Sequence, residues 1–161
     1  MTSSPEGTVP AAGTIRRVQA LAVAGWPMAR LARETGLSPA RLAQVLTAST
    51  VPSATARAVA AVYTRYSMAS PGLCGVALIH ARAARARAAA AGWAPPAAWD
   101  DDTIDDPAAI PEWTGHCGTA RGVDLHARHG IPLCPPCQAA LYRRKLRNAA
   151  RERRATSTTH A

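Results

Sequence analysis

Residues 26–46, WPMARLARETGLSPARLAQVL, have the pattern of a helix-turn-helix, and this segment constrains the fold more than any other. Gly36 can adopt the positive φ that a tight interhelical turn needs. Ser38 is expected to cap the second helix, and Pro39 suits its first position, where a backbone N–H has no partner. The apolar residues expected to pack between the two helices are Leu31, Ala32, Leu37, Leu42 and Val45.

The outward side of the second helix would carry the residues that meet a binding partner. With Gly36 in the turn, Leu42 and Val45 point into the bundle. On the opposite side, Arg41 can donate a pair of hydrogen bonds to guanine, and Gln44 can pair in the same way with adenine. The motif therefore predicts double-stranded DNA as the partner. The candidate contacts on this helix are Ser38, Ala40, Arg41 and Gln44.

The spacing of apolar residues predicts helices on both sides of this motif. Thr14 is expected to cap a first helix over IRRVQALAVAG, and Ser53 a fourth over ATARAVAAVYTRYSM. Another helix, LIHARAARARAAAA, is expected to end at Gly92. The predicted fold class is therefore mainly α, with a helix-turn-helix domain of four to five helices. The inward-facing residues of the fourth helix are Val59, Val62, Tyr63 and Tyr66.

The chain of 161 residues has a formal net charge of +9, and all but one of its 19 basic residues are arginine. Arginine suits both phosphate groups and guanine edges, although a GC-rich genome would produce the same bias without any function. No apolar run approaches the ~20 residues of a membrane span, and the first residues lack the pattern of a signal peptide. These features predict a cytoplasmic, nucleoid-associated protein with no membrane partner and no small-molecule substrate.

Two basic regions are separated by an acidic one. The stretch GWAPPAAWDDDTIDDPAAIPEW is expected to be an extended, solvated connector. Trp93 and Trp99 could dock it on a neighbouring helix, and an alternative is that it competes with DNA for a basic surface. The predicted organisation is a disordered tail over 1–12, a helix-turn-helix domain over 13–69, a connecting helix over 70–92, the acidic connector over 93–112, a zinc module over 113–150 and a disordered tail over 151–161.

Four residues after the connector have the spacing C-x8-H-x7-C-x2-C, which suits tetrahedral zinc. Two residues between Cys134 and Cys137 let both sulfur atoms reach one ion from a tight turn. In a reducing cytosol such cysteines are metal ligands more often than disulfides. We expect a structural Zn²⁺ ion in a small loop whose glycines provide flexible points. Spacing alone leaves His129 and His116 as alternative ligands, although His116 adjoins Cys117 and would have difficulty sharing one ion with it. The predicted ligands are Cys117, His126, Cys134 and Cys137.

The residues after Cys137, QAALYRRKLRNAARERR, are expected to form a basic helix. Its many cations have Glu152 as the one acidic residue among them, so an external anion such as nucleic-acid phosphate would stabilise them. The alternative is a solvated tail that keeps the protein soluble. The candidate DNA contacts in this helix are Arg143, Arg144, Lys145 and Arg147.

The four short helices resemble the phage-repressor class of helix-turn-helix domains, also called the XRE or Cro/CI-like class. This resemblance implies a compact bundle whose third helix enters the major groove. Together with GWAPPAAWDDDTIDDP, the motif resembles a group of small DNA-binding proteins of actinobacteria and their phages. Residues 117–137 resemble a C-terminal CGT-x-x-G…H…C-x-x-C module of similar proteins, but Val123 replaces a usual aromatic residue and Ile131 a common glutamate.

The favoured function is non-enzymatic: a sequence-specific DNA-binding protein, a transcriptional regulator with an accessory zinc module. One alternative is a zinc-scaffolded nuclease of the HNH type, for which Asp124, His126 and His129 are the candidate catalytic groups. Another is a DNA-binding accessory protein without sequence preference. The sequence leaves open the operator sequence, whether the protein activates or represses, and its oligomeric state, for which a homodimer is one possibility.

Overall fold

The computed structural model describes residues 7–158, apart from the side chains of residues 129 and 156–158. This part of the chain is mainly helical, which confirms the mainly α part of the predicted fold class. It forms two compact units, one ending at Pro111 and one beginning at Glu112. Within residues 7–158, no helix combines the length and the apolar character needed to cross a membrane. The elements are β1 (Thr8–Pro10), α1 (Ala12–Ala24), α2 (Met28–Thr35), α3 (Pro39–Val45), β2 (Thr50–Pro52), α4 (Ser53–Tyr66), α5 (Leu78–Ala91), a 3-10 helix (Pro96–Ala98), α6 (Ala120–His129) and α7 (Pro135–Thr158).

A tight turn joins α2 to α3, and its chemistry follows the sequence prediction. Gly36 ends α2 with a φ of 70°, in the left-handed region that glycine adopts without strain. The Ser38 hydroxyl accepts a hydrogen bond from the backbone N–H of Arg41 at 3.2 Å, and Pro39 occupies the first helical position. Leu42 and Val45 are buried, so α3 has one side fixed against the protein.

The core of the first unit is built around Trp26, which is fully buried. Its ring lies 4.4 Å from that of Tyr66, and its indole N–H donates to the Tyr66 carbonyl at 3.2 Å. The four inward-facing residues predicted for α4 are all buried, and α5 adds Ala81 to the same core. As predicted, α5 ends at Gly92, with a φ of 69°. The helices before and after the α2–α3 pair therefore enclose it in one apolar cluster.

An ion pair and a hydrogen bond hold α2 against α4. Glu34 accepts from Arg30 Nε at 2.6 Å and from the Tyr66 hydroxyl at 3.0 Å. Burial raises the pKa of Glu34, but these two hydrogen bonds outweigh that effect and leave the pKa below its usual value. The ionised carboxylate thus links the first helix of the α2–α3 pair to the long helix behind it.

The start of the described chain is ordered, contrary to the predicted disorder of residues 1–12. β1 pairs antiparallel with β2, and Val9 lies opposite Val51. Residues 1–6 of the predicted tail lie outside the described residues.

Two predicted helix caps are also wrong. Thr14 lies inside α1 and is buried, and the Ser53 hydroxyl donates to the Gly7 carbonyl instead of capping α4. Long-range strand pairing sets both boundaries.

The acidic stretch before Pro111 is docked on the first unit, so its prediction as an extended, solvated connector is wrong. Ile104 is fully buried in the main core cluster. The Arg16 guanidinium donates to four carbonyl oxygens of this stretch at distances from 2.5 to 3.1 Å, and it also lies 4.7 Å from the centre of the Trp99 ring. Trp99 packs against the same core, in agreement with its predicted role in docking this stretch. The carbonyls belong to Ile104, Asp106, Pro107 and Ala109.

A second contact fixes the same stretch to α1. Arg17 donates to both carboxylate oxygens of Asp105, at 2.5 and 2.8 Å, and this pairing lowers the pKa of Asp105. A Cβ atom added to Gly13 would lie 2.8 Å from the Asp105 Cα, too close for any side chain. Gly13 is therefore required by the close approach of the acidic stretch to α1.

Candidate functional site

The second unit brings three thiols and one imidazole together. One potential ligand atom from each of four residues lies within 4.8 Å of all the others. No disulfide joins these cysteines, which are free thiols. The arrangement can hold a metal ion, as the spacing predicts. The four residues are the predicted ones, Cys117, His126, Cys134 and Cys137.

A helix that the sequence analysis did not predict positions the imidazole. The Thr119 hydroxyl accepts from the backbone N–H of Gly122 at 3.1 Å and donates to the His116 carbonyl at 2.6 Å, which starts α6. His126 then lies near the end of α6, where only 1% of it is exposed. Gly130 ends the helix with a φ of 64°. The segment expected to be a flexible loop is therefore mostly helical.

The Cys-x-x-Cys pair lies at the start of α7. Cys134 precedes the helix, and Cys137 lies in its first turn and is fully buried. Pro135 begins the helix, so the two prolines belong to its first turn and not to a separate turn before it. The small apolar core of the unit surrounds Cys137, with Val123 from α6 and Ala140 from α7. Packing of α6 on α7 thus places the thiol beside the imidazole.

Neighbouring polar groups orient the ligand atoms. His126 Nδ1 lies 3.2 Å from the Ile131 carbonyl, and Nε2 lies 3.8 Å from the Cys117 sulfur. When Nδ1–H donates to that carbonyl, Nε2 has a free lone pair directed at the thiol cluster. The Gly118 N–H also donates to the Cys137 sulfur at 3.4 Å. These contacts hold the imidazole ring and the Cys137 sulfur in place, as the groups around a metal site orient its ligands.

Four protein donors leave a tetrahedral ion without an open position, which is typical of structural and not catalytic sites. His116 is outside the cluster among the described side chains. The side chain of His129, the other alternative ligand, lies outside the described residues. The cluster therefore includes His126 as the imidazole donor.

We expect Gly122→Ala to weaken metal binding by about 10–100-fold, the usual effect of disturbing groups around the ligands. A Cβ atom there would lie 2.2 Å from the His116 carbonyl oxygen and 3.1 Å from the Cys137 sulfur. Competition with a chromogenic chelator measures the affinity. Gly72→Ala is the matched control, because its Cβ would meet nothing closer than 3.9 Å. Equal affinities of the two variants would contradict the close packing at Gly122.

The structure also places the predicted DNA-contacting residues. The four at α3 are all exposed: the capping residue Ser38 and the helical residues Ala40, Arg41 and Gln44. On α7, Lys145 and Arg147 are exposed, whereas Arg143 donates to the Gly118 carbonyl at 3.2 Å and Arg144 pairs with Asp124 at 2.9 Å. The predicted disorder of residues 151–161 is wrong for residues 151–158, because α7 continues to Thr158. Residues 159–161 lie outside the described chain.

Sequence reasoning missed the role of α1 in holding the acidic stretch. Arg16, Arg17 and Gly13 make those contacts, and their partners lie far away in the sequence. The available signal was weak: Ile104 is a single large apolar residue among aspartates.

No known protein family, curated protein or solved structure matches this chain.

Proposed function

We propose that this protein is a sequence-specific DNA-binding protein, a transcriptional regulator that inserts α3 into the major groove of double-stranded DNA. The observation that carries the proposal is the two-sided character of α3. Leu42 and Val45 are buried, whereas Arg41 and Gln44 are exposed on the same short helix. Arginine and glutamine are the side chains that recognise guanine and adenine edges by paired hydrogen bonds.

The support behind α3 suits such a role. Base readout requires a helix held rigidly, because a misplaced donor loses its partner on the base. The Ser38 cap, the left-handed Gly36 and the buried Leu42 hold α3 on α2. The bond of Glu34 to Tyr66 then fixes α2 on α4. This arrangement agrees with the resemblance to the XRE class, in which the third helix is the recognition helix.

We infer that the ion held by the second unit is Zn²⁺ in a structural role. Three sulfur donors and one imidazole nitrogen are a preferred zinc donor set. The buried members of the apolar core of the unit are Val123, Cys137 and Ala140, and the larger Leu133 and Leu141 are only partly buried against them. Such a core provides too little buried area to fold the unit alone, so metal binding would supply folding free energy.

Two of the three candidate groups for the nuclease alternative already have other partners, and the third, His129, has a side chain outside the described residues. HNH chemistry needs a histidine that acts as a base and a second metal-holding residue. His126 belongs to the thiol cluster, and Asp124 pairs with Arg144 at 2.9 Å. These contacts weigh against the nuclease alternative.

Base readout predicts a specific pattern of losses. A site would first be selected from random duplexes with the full chain. Arg41→Ala and Gln44→Ala are then each expected to lose about 1–3 kcal/mol of binding free energy at that site and less on random DNA. Fluorescence anisotropy measures both. Arg82→Ala, an exposed arginine on α5, is the charge-matched control for Arg41→Ala. Equal losses on selected and random duplexes would refute base reading by these residues.

A further inference from the structure

The last helix has an unusual concentration of positive charge. Seven of the residues from Arg143 to Arg154 are cationic, and Glu152 is the one acidic residue in α7. Outside this helix, Asp124 and Glu112 are the acidic residues of the second unit, and Asp124 is paired with Arg144. Internal pairing therefore cannot neutralise the helix, and a polyanionic ligand would relieve its self-repulsion.

The cations are not spread evenly around the helix. At 3.6 residues per turn, four of them fall within an arc of about 80°. With a rise of ~1.5 Å per residue, they form a stripe about 16 Å long. All four are exposed. We call this set the arginine stripe, and it consists of Arg143, Arg147, Arg151 and Arg154.

The base of the arginine stripe is fixed to the metal-binding fold. Cys137 and Ala140 hold the first turns of α7 in the apolar core. Arg143 donates to the carbonyl of Gly118, next to the ligand Cys117, and Arg144 pairs with Asp124 on α6. The start of the helix is therefore fixed in the unit, so the backbone that carries the stripe is in place before a ligand arrives.

We propose that the arginine stripe binds the phosphate backbone of duplex DNA without sequence preference, as a second contact separate from α3. This inference rests on the proposed function for the identity of the ligand. A stripe of about 16 Å is longer than the ~12 Å width of the major groove, so it can reach phosphates on both strands. Guanidinium groups pair with phosphate oxygens through two parallel hydrogen bonds.

A membrane surface is the competing anionic partner, and the rest of α7 argues against it. Interfacial helices bind in proportion to the apolar area that they bury. The large apolar side chains exposed on α7 are Tyr142 and Leu146, 64% and 51% exposed, which together offer little area. A phosphate backbone needs no apolar side, and it fits the stripe better.

The test compares the salt dependence of DNA binding in full-length variants. Arg147→Gln with Arg151→Gln removes two exposed cations of the stripe, and Arg82→Gln with Arg87→Gln removes two exposed cations of α5. The slope of log affinity against log salt should become shallower by about 2 in the stripe variant, because each lost phosphate contact retains about one counterion. The α5 variant should keep the parental slope. Affinity for selected and random duplexes should fall by the same factor.

Each outcome separates this inference from the proposed function. An unchanged slope in the stripe variant, or an equal change in the α5 variant, would overturn the stripe as a DNA contact even if Arg41→Ala abolishes site preference. A shallower slope with no site preference in the parent would support the stripe and refute sequence-specific readout. Binding of the parent to anionic phosphatidylserine vesicles that is lost in the stripe variant, with an unchanged DNA slope, would identify a lipid surface instead.

Discussion

Replacing Cys134 and Cys137 together with serine is expected to abolish metal binding and to unfold the unit that begins at Glu112. Both sulfur atoms belong to the cluster whose donors lie within 4.8 Å of one another. Structural zinc contributes about 10–16 kcal/mol of apparent binding free energy in small zinc-folded peptides. The core around Val123 and Ala140 is too small to replace that contribution.

Two measurements on the full chain test this result. Elemental analysis should give about one equivalent of zinc in the parent and none in the double variant. Hydrogen exchange should show lost protection in α6 and unchanged protection in the first unit, because the two units are separately compact. Cys74→Ser is the matched control, since Cys74 packs against the core of the first unit and is outside the cluster. Stoichiometric zinc in the double variant would refute the site.

Replacing Arg16 with alanine is expected to destabilise the first unit by about 3 kcal/mol, within the usual range for losing a charged hydrogen-bonding group. Its guanidinium donates to four carbonyls of the acidic stretch. Without it, the Arg17–Asp105 pair is the remaining ion pair between that stretch and α1, and the burial of Ile104 in the core becomes less favourable. Urea denaturation followed by tryptophan fluorescence measures the change, because Trp26 and Trp99 lie in this unit.

Two further variants define the cause of that loss. Arg16→Lys keeps the charge, but a lysine ammonium cannot donate to all four carbonyls as the planar guanidinium does. Its free energy of unfolding should therefore lie between those of the parent and Arg16→Ala. Arg82→Ala removes an exposed arginine from the same unit and should change the free energy of unfolding by less than about 0.5 kcal/mol. If Arg16→Ala behaved like Arg82→Ala, the acidic stretch would be held by its apolar contacts and the Arg17–Asp105 pair, with no contribution from Arg16.

Features encoded by a few adjacent residues were predictable from the sequence. Gly36, Ser38 and Pro39 define the turn and the start of α3 through local backbone chemistry, and the structure has them in those roles. The thiol cluster was also predictable, because metal geometry restricts the spacing of Cys134 and Cys137. Neither prediction depends on how distant segments pack.

Features that depend on distant partners were not predictable from local patterns. Thr14 and Ser53 are good capping residues, but the pairing of β1 with β2 places the chain so that α1 begins at Ala12 and α4 begins at Ser53 itself. The aspartates suggested a solvated segment, whereas Arg16 binds its carbonyl groups from far away in the chain. Gly122 suggested a flexible point, but it lies inside α6. A larger residue there would clash with the His116 carbonyl oxygen.

The pairing of β1 with β2 has a consequence for the mobility of α3. Val51 of β2 packs in one cluster with Ala11 and with Val45 of α3. This cluster holds α3 against β2 in the folded protein, so little backbone entropy of α3 remains to be lost when a ligand arrives. A truncation or fusion that disturbs Val9, opposite Val51, would leave α3 freer to move, and its ligand would then have to order it.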